Sequence, residues 1–208
     1  MARPAPGFSL SAASTSASEA LISEDGHYRW WLRRRWDQGE GLLLFIGLNP
    51  SRADGNRDDP TLRRLIGFAR GWGYRELLVL NLFARISPSP AALRRVQDPV
   101  GARNDAVLEQ WCSGWTQRPE WDLWCGWGAG GCWRHRDQAL RSLLLPCMAE
   151  RQRCHPTASG PLTIALTRGG HPRHPLYSPS QAVLKPFAWA EAQIIRHPET
   201  TSAVRRPR

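Results

Sequence analysis

The chain of 208 residues has almost no lysine, although it is strongly basic. Lys185 is the only lysine, so all the other residues among its 28 lysines and arginines are arginines. The formal charge is +10, and arginine forms bidentate hydrogen bonds to phosphate that lysine cannot form. The charge therefore favours nucleic acid or a nucleotide as partner, although codon bias alone also produces an arginine-rich surface.

Paired cysteines and long apolar runs are also lacking. The five cysteines never form a Cys-x-x-Cys pair, which argues against a zinc ribbon and against a disulfide framework. No apolar run approaches the roughly 20 residues that span a bilayer, and residues 1–20 lack the apolar core of a secretory signal. We therefore expect a cytoplasmic protein with buried thiols, no membrane association, no metal and no cofactor, and we assume a monomer.

Composition divides the chain into three parts. Residues 1–27 are rich in Ser and Ala and are predicted to be disordered, because they hold little that can be buried. Residues 28–189 are predicted to form a single α/β domain. Residues 190–208 hold prolines and arginines without apolar periodicity, which is typical of a basic disordered tail.

Short apolar segments alternate with helical signals through the central part. The predicted strands are Leu42–Ile46, Leu77–Leu80, Asp122–Cys125 and Thr163–Leu166, and the predicted helices are Thr61–Arg70, Asn104–Trp111 and Asp137–Met148. Asp59 and Pro60 have the residue types that cap and start the first helix. Such alternation predicts a three-layer α/β/α sandwich with a short, mainly parallel sheet.

Each predicted strand ends at polar residues. Because the carboxyl ends of parallel strands meet at one edge of a sheet, we expect these residues to share one cleft. Gly47-Leu48-Asn49-Pro50-Ser51 follows the first strand, and Asn81-Leu82-Phe83 ends the second. The Asn49 amide can orient a water molecule, the Asn81 amide can recognise a base edge, and the Phe83 ring can stack on a base. A turn that Asn49 caps, a buried Asn81 and a core Phe83 are the alternatives.

The third and fourth strands lead into a glycine-rich loop and a proline-rich loop. Gly126-Trp127-Gly128 lets backbone amides approach a ligand, but it lacks the spacing of a phosphate-binding P-loop. His171-Pro172-Arg173-His174-Pro175-Leu176 holds two imidazoles and a guanidinium on a stiff segment. Either histidine can stabilise an anionic leaving group, and Arg173 can hold a phosphate. A solvated loop without a role is the alternative.

An acidic segment separates the first motif from the first helix. Asp54, Asp58 and Asp59 lie there beside Arg52 and Arg57. Internal ion pairs explain these charges better than a metal site, and Asp54 and Asp58 remain secondary candidates for catalysis.

These motifs together resemble an uncharacterised bacterial and phage family, domain of unknown function 1643. The resemblance runs from Tyr28 to Phe187, and its most specific parts are Gly47–Ser51, Asp58–Thr61, Asn81–Ala84, Asp98–Gly101 and His171–Tyr177. It implies no particular activity.

The same order of motifs is more remotely similar to the uracil-DNA glycosylase superfamily. This similarity implies that Asn49 positions water, that Asn81 recognises the base, and that His171 or His174 stabilises the departing base. Leu176 would be the wedge that enters the duplex. The last motif is one residue longer than in the superfamily, so both histidines qualify.

The sequence therefore predicts a pocket that recognises a nucleobase, with hydrolysis of an N-glycosidic bond as the leading reaction. Its catalytic residues would be Asn49 with His171 or His174, and the predicted substrate-binding residues are Gly47, Pro50, Ser51, Asn81, Phe83, Trp127, Gly128, Arg173 and Leu176. A non-catalytic domain that binds a nucleotide or nucleic acid is the alternative. A magnesium-dependent nucleotide hydrolase that uses Asp54 or Asp58 is the third hypothesis.

Overall fold

The computed structural model describes residues 18–51 and 58–189. Within these ranges one sheet contains seven strands: β1 (Ser18–Ile22), β2 (Arg29–Arg35), β3 (Glu40–Gly47), β4 (Tyr74–Asn81), β5 (Trp121–Cys125), β6 (Pro161–Thr163) and β7 (Lys185–Pro186). The helices there are α1 (Pro60–Gly71), α2 (Pro90–Leu93), α3 (Asn104–Gln117) and α4 (Arg136–Cys154). The chain therefore has a mixed α/β fold, as the alternation of patterns predicts.

The strand order is β1-β2-β4-β3-β5-β6-β7. β4, β3, β5 and β6 run parallel, whereas β1, β2 and β7 pair antiparallel. The sheet is mixed, and the prediction of a mainly parallel sheet is wrong. β2 precedes β3 in the chain but pairs with β4. Its arginines hide the alternation of apolar and polar residues from which a strand is predicted.

The predicted N-terminal boundary also needs correction. β1 lies inside the range 1–27 that the composition assigns to disorder, yet it pairs with β2 over its whole length. Glu19 lies opposite Arg33 in this pair, with 3.8 Å between their charged groups. Pairing with a neighbouring strand thus orders a segment that has little to bury alone. Residues 1–17 and the predicted basic tail lie outside the described residues.

The predicted helices are confirmed, with shifted ends. The Asp59 carboxylate caps α1 by accepting a hydrogen bond of 2.7 Å from the backbone N–H of Leu62, and Pro60 is its first residue. α3 extends to Gln117, and α4 continues through Pro146 to Cys154. Packing against the sheet offsets the backbone hydrogen bond that a proline removes inside a helix.

The side chains of β3 alternate between two buried clusters. Leu42, Leu44 and Ile46 pack with residues of α3 and α4. Leu43 and Phe45 pack on the opposite face with Leu62, Leu65 and Phe68 of α1. Both faces of the sheet are therefore covered, and the loops that follow the parallel strands lie at one edge.

Arg151 of α4 connects several segments at the opposite edge of the sheet, where β5 begins. Its side chain is only 2% exposed, and its guanidinium donates hydrogen bonds to the backbone carbonyls of Trp115, Arg118, Pro119, Trp121 and Ser159. The same group lies 4.5 Å above the ring of Trp115. One side chain thus donates hydrogen bonds to backbone carbonyls at the end of α3, at the start of β5 and in the segment before β6.

Candidate functional site

The first candidate site lies where β3 and β4 end. Gly47 and Asn81 are partners in the parallel pair of these strands. A cavity of about 60 Å³ opens there, which we call the carboxyl-edge pocket, and its polar and glycine lining includes Arg29, Gly47, Asn49, Ser51, Asn81 and His174. The structure therefore brings residues from three of the predicted motifs into one pocket.

Asn81 is the most unusual group in this pocket. Its side chain is 3% exposed, and its Nδ2 has no hydrogen-bond partner among the described residues. A buried amide without a partner costs about 1–3 kcal/mol relative to a satisfied one. Asn81 Nδ2 is therefore a donor that no described protein group satisfies.

The backbone at the end of β4 is held by two buried side chains. The Asn104 amide donates to the carbonyls of Asn81 and Leu82, at 3.1 and 3.0 Å. The Arg136 guanidinium donates to the same Leu82 carbonyl at 3.0 Å. These bonds fix the backbone from which the Asn81 side chain projects.

Gly47 leaves room for the Asn81 amide. A Cβ atom at this position would lie 3.1 Å from Oδ1 of Asn81 and 2.9 Å from the ring of Phe45. Both neighbours are buried, so a side chain at position 47 would displace them. This glycine is needed for close packing rather than for an unusual backbone conformation.

Asn49 is partly a structural residue. Its Nδ2 donates to the carbonyls of Pro50 and Ser87, at 2.9 and 3.1 Å, as the alternative of a capped turn predicts. These bonds orient the amide, and they leave Oδ1 as the atom that can accept a hydrogen bond from water.

His174 is the histidine that lines the carboxyl-edge pocket. Its Nδ1 accepts a hydrogen bond of 3.3 Å from the backbone N–H of Leu176, so the neutral ring carries its proton on Nε2. Burial lowers the pKa of His174 below its usual value, and the negative charge of Asp59 opposes this shift. The imidazole is therefore neutral at pH 7 and has an N–H donor.

His171 lies in a different cavity. It lines this second cavity with Trp127 and Asp137. The Pro172 carbonyl, between the two histidines in the chain, accepts a hydrogen bond of 2.8 Å from the Gly128 N–H. The structure thus separates the two histidines that the extended motif left equivalent.

Other predicted binding residues lie away from the carboxyl-edge pocket. Phe83 is fully buried in the core, where its ring packs against Trp133 with 4.9 Å between centroids. Its place as a base-stacking residue is therefore not supported, because it points to the opposite face of the sheet from the pocket. Arg173 is exposed and Leu176 is half-buried, whereas Pro50 is buried and accepts from the Ser87 N–H.

Sequence analysis missed Arg29, Phe45 and Asp59 as pocket residues. Arg29 is 4% exposed and comes from β2, whose position beside β4 only the sheet reveals. Phe45 precedes Gly47 by two residues, so it lies on the same face of β3, and this periodicity is the signal that could have found it. Asp59 accompanies the N-terminus of α1, whose Thr61 and Leu62 also line the pocket.

The acidic segment offers no metal site among residues 18–51 and 58–189. Asp58 accepts two hydrogen bonds from the buried Arg34 guanidinium, at 2.8 and 3.1 Å. No cluster of three or more His, Cys, Asp or Glu side chains in these ranges could hold a metal ion. The other candidate, Asp54, lies outside the described residues.

Comparison with models of known protein families identifies the family of this chain. The model of a family described as a protein of unknown function, DUF1643, matches residues 29–176. The chain belongs to this family. A search of curated proteins finds no match.

No helix within the described ranges is long and apolar enough to cross a membrane.

Proposed function

We propose that the carboxyl-edge pocket binds a nucleobase and that the protein hydrolyses its N-glycosidic bond. The single observation that carries this proposal is the buried Asn81 amide, whose Nδ2 lacks a partner among the described residues and lines the cavity. An amide offers a donor and an acceptor side by side, which matches the edge of a base.

The other pocket residues supply groups that such a reaction needs. In the proposed reaction the departing base develops negative charge, and the Nε2–H of His174 and the guanidinium of Arg29 stabilise it. That both residues line the pocket supports these roles. Asn49 Oδ1 orients water toward the electron-poor sugar carbon. The Asn49 amide is a weak base, so the step is dissociative, and bond cleavage precedes the attack of water.

The order of these groups along the chain supports a distant relationship to the uracil-DNA glycosylase superfamily. Asn49 follows the first parallel strand in the chain, Asn81 ends the second, and His174 lies in the loop after the last. Helices on both faces of the sheet agree with the sandwich architecture of that superfamily. We include this relationship in the proposal.

Arginine-rich loops surround the pocket edge. The loops at 82–103, 126–135 and 164–184 follow β4, β5 and β6, and their arginines are Arg85, Arg94, Arg95, Arg103, Arg134, Arg168 and Arg173. Asp98 is the single carboxylate in these three loops, whereas the segment between β3 and α1 brings Asp59 to the pocket. Positive charge at the mouth of a base pocket favours a substrate with phosphates on both sides of the base.

Base release should depend on Asn81. We expect wild-type protein to release a base from at least one oligonucleotide in a panel that contains uracil, hypoxanthine and mismatched pairs, measured under single-turnover conditions. Asn81→Ala should reduce discrimination among these bases by about 5- to 150-fold, because one recognition contact is worth about 1–3 kcal/mol. Gln110→Ala, on the exposed face of α3, is the matched control and should change neither rate nor preference.

A non-catalytic role is the second candidate, and the hydrogen bonds of Asn49 to the backbone favour it. If wild-type protein releases no base from any oligonucleotide while Asn81→Ala still abolishes binding, the pocket recognises a base without cleaving it. The proposed chemistry would then be wrong.

Binding to nucleic acid should be sensitive to salt. Contacts between arginines and a few phosphates release counterions, so affinity for a single-stranded oligonucleotide should fall at least about tenfold between 50 and 200 mM salt. Fluorescence anisotropy measures this directly. Affinity that does not change with salt would favour a small-molecule substrate.

A further inference from the structure

The second cavity differs in chemistry from the carboxyl-edge pocket. We call it the Asp137 pocket; its volume is about 90 Å³, and its lining includes Trp127, Asp137, Gln138, His171, Phe187 and Trp189. These residues come from the loops after β5 and β6, from the first turn of α4 and from the segment after β7. The function proposed above uses none of them.

A buried carboxylate lies in this pocket. Asp137 is 7% exposed, and its Oδ1 accepts a hydrogen bond of 2.9 Å from the backbone N–H of Gln138. Among the described residues Oδ2 has no hydrogen-bond partner and no ion pair. Oδ2 is not among the fully buried atoms that lack a partner, so it is open to the pocket. It is therefore available as an acceptor for a ligand that brings N–H donors.

Aromatic rings form another wall. The rings of Trp127 and Phe187 are 5.8 Å apart and nearly perpendicular, and those of Phe187 and Trp189 are 4.7 Å apart. Trp127 and Phe187 are buried, whereas Trp189 is half-buried and keeps part of its surface exposed. An aromatic surface beside a carboxylate suits a planar ligand whose edge carries donors.

We propose that the Asp137 pocket binds a guanine base. Guanine is the common base that presents two adjacent donors, N1–H and the 2-amino group, to a single carboxylate. Adenine and cytosine present an isolated amino group, and uracil presents one N–H. Gln138 and His171 supply donors for the O6 acceptor of guanine, and the Trp189 ring supplies a stacking surface.

This proposal does not rest on the proposed glycosidase activity. Free guanine nucleotides and guanosine residues in nucleic acid both carry this base, so either is a possible source of the ligand. His171 and His174 are three residues apart, so their Cα atoms lie within about 11 Å of each other. The two pockets therefore draw residues from the same short loop.

Calorimetric titration of the full chain with nucleoside monophosphates tests the proposal. GMP should bind at least about tenfold more tightly than AMP, CMP or UMP. Asp137→Asn should reverse the preference between GMP and XMP, because the amide exchanges an acceptor for a donor and xanthine exchanges the 2-amino donor for a carbonyl. Gln110→Ala, on the exposed face of α3, should leave GMP affinity unchanged.

A second variant tests the aromatic wall of the pocket and leaves the carboxylate intact. Trp189→Ala should weaken GMP binding at least about fivefold. Because this ring packs on Phe187 and Trp127, the variant should also melt at a lower temperature, and binding is therefore measured well below its melting temperature. Equal affinity for all four monophosphates, or a GMP affinity that Asp137→Asn does not alter, would overturn the proposal.

Oligonucleotides identify the source of the base. A short single strand with one guanine should bind more tightly than the same strand with hypoxanthine, which lacks the 2-amino group. If the strand binds better than GMP, the base belongs to nucleic acid; if GMP binds better, it belongs to a free nucleotide. No difference between guanine and hypoxanthine strands, together with no preference for GMP, would exclude guanine recognition.

Discussion

Replacement of His174 by alanine is expected to slow single-turnover base release by about 10²- to 10³-fold, the usual loss when one donor to a developing anion is removed. The Nε2–H is that donor, because Nδ1 already accepts from the Leu176 N–H at 3.3 Å. Substrate affinity should change far less, since the leaving base carries its charge mainly in the transition state. Rapid-quench measurement of base release, beside a binding titration, separates the two effects.

The pH dependence of wild-type protein gives a further test of this role. Burial lowers the pKa of His174 in the folded state, so the ring stays neutral as the pH falls to about 6.5, the unperturbed value. Protonation at still lower pH breaks the bond from Leu176, and base release should then decline. The unfolded chain binds this proton more readily, so the stability contributed by neutral His174 is also lost as the pH falls below about 6.5.

Two other histidines serve as comparisons. His155→Ala, at the C-terminal cap of α4 and remote from both pockets, should leave base release unchanged. His171→Ala should have a smaller effect than His174→Ala, because His171 lines the Asp137 pocket. A loss that follows His171 rather than His174 would contradict the assignment.

Arg151→Met is expected to lower the free energy of unfolding by at least about 3 kcal/mol, because hydrogen bonds to a charged group contribute about 1.5–3 kcal/mol each and buried acceptors lose their donors. These bonds include two of 2.8 Å, to the carbonyls of Trp121 and Ser159. Methionine fills a similar volume but donates to none of the five carbonyls. Urea denaturation measures the change, and the melting temperature should fall by about 6–12 °C.

Arg153→Met is the matched control for this variant. Arg153 lies on the same helix, but its side chain is exposed and pairs with Glu150 at 2.7 Å on the surface. Exposed ion pairs contribute little to stability, so this variant should unfold at the same temperature as wild-type protein. Equal destabilisation by the two substitutions would show that Arg151 acts through its charge alone.

The elements nearest to the site could be predicted from local sequence. Leu42–Ile46 and Leu77–Leu80 are continuous apolar runs bounded by turn residues, and β3 and β4 contain them. Asp59 and Pro60 mark the start of α1 because a cap and a first-turn proline act within a few residues of the helix end. Parallel strands then require that Asn49 and Asn81 lie at one edge of the sheet, and they line one pocket.

The placement of aromatic rings was less predictable. Phe83 and Phe45 are equally apolar, and each lies two residues from a residue of the pocket. Phe83 follows the end of β4, where the chain leaves the strand and the alternation of side chains no longer applies. Its ring therefore packs beside Trp133, whereas Phe45 lies inside β3 and keeps the face that alternation gives it.

The sequence alone therefore determined the central strands, the helix starts and the edge at which the polar residues gather, because these depend on periodicity and on capping over short distances. Only the tertiary structure decided that Arg29 enters the pocket, since 38 residues, 36–73, separate β2 from its partner strand β4. Only the tertiary structure placed His171 and His174 in different cavities. Contacts between residues distant in sequence depend on which strands pair, and no local pattern records that choice.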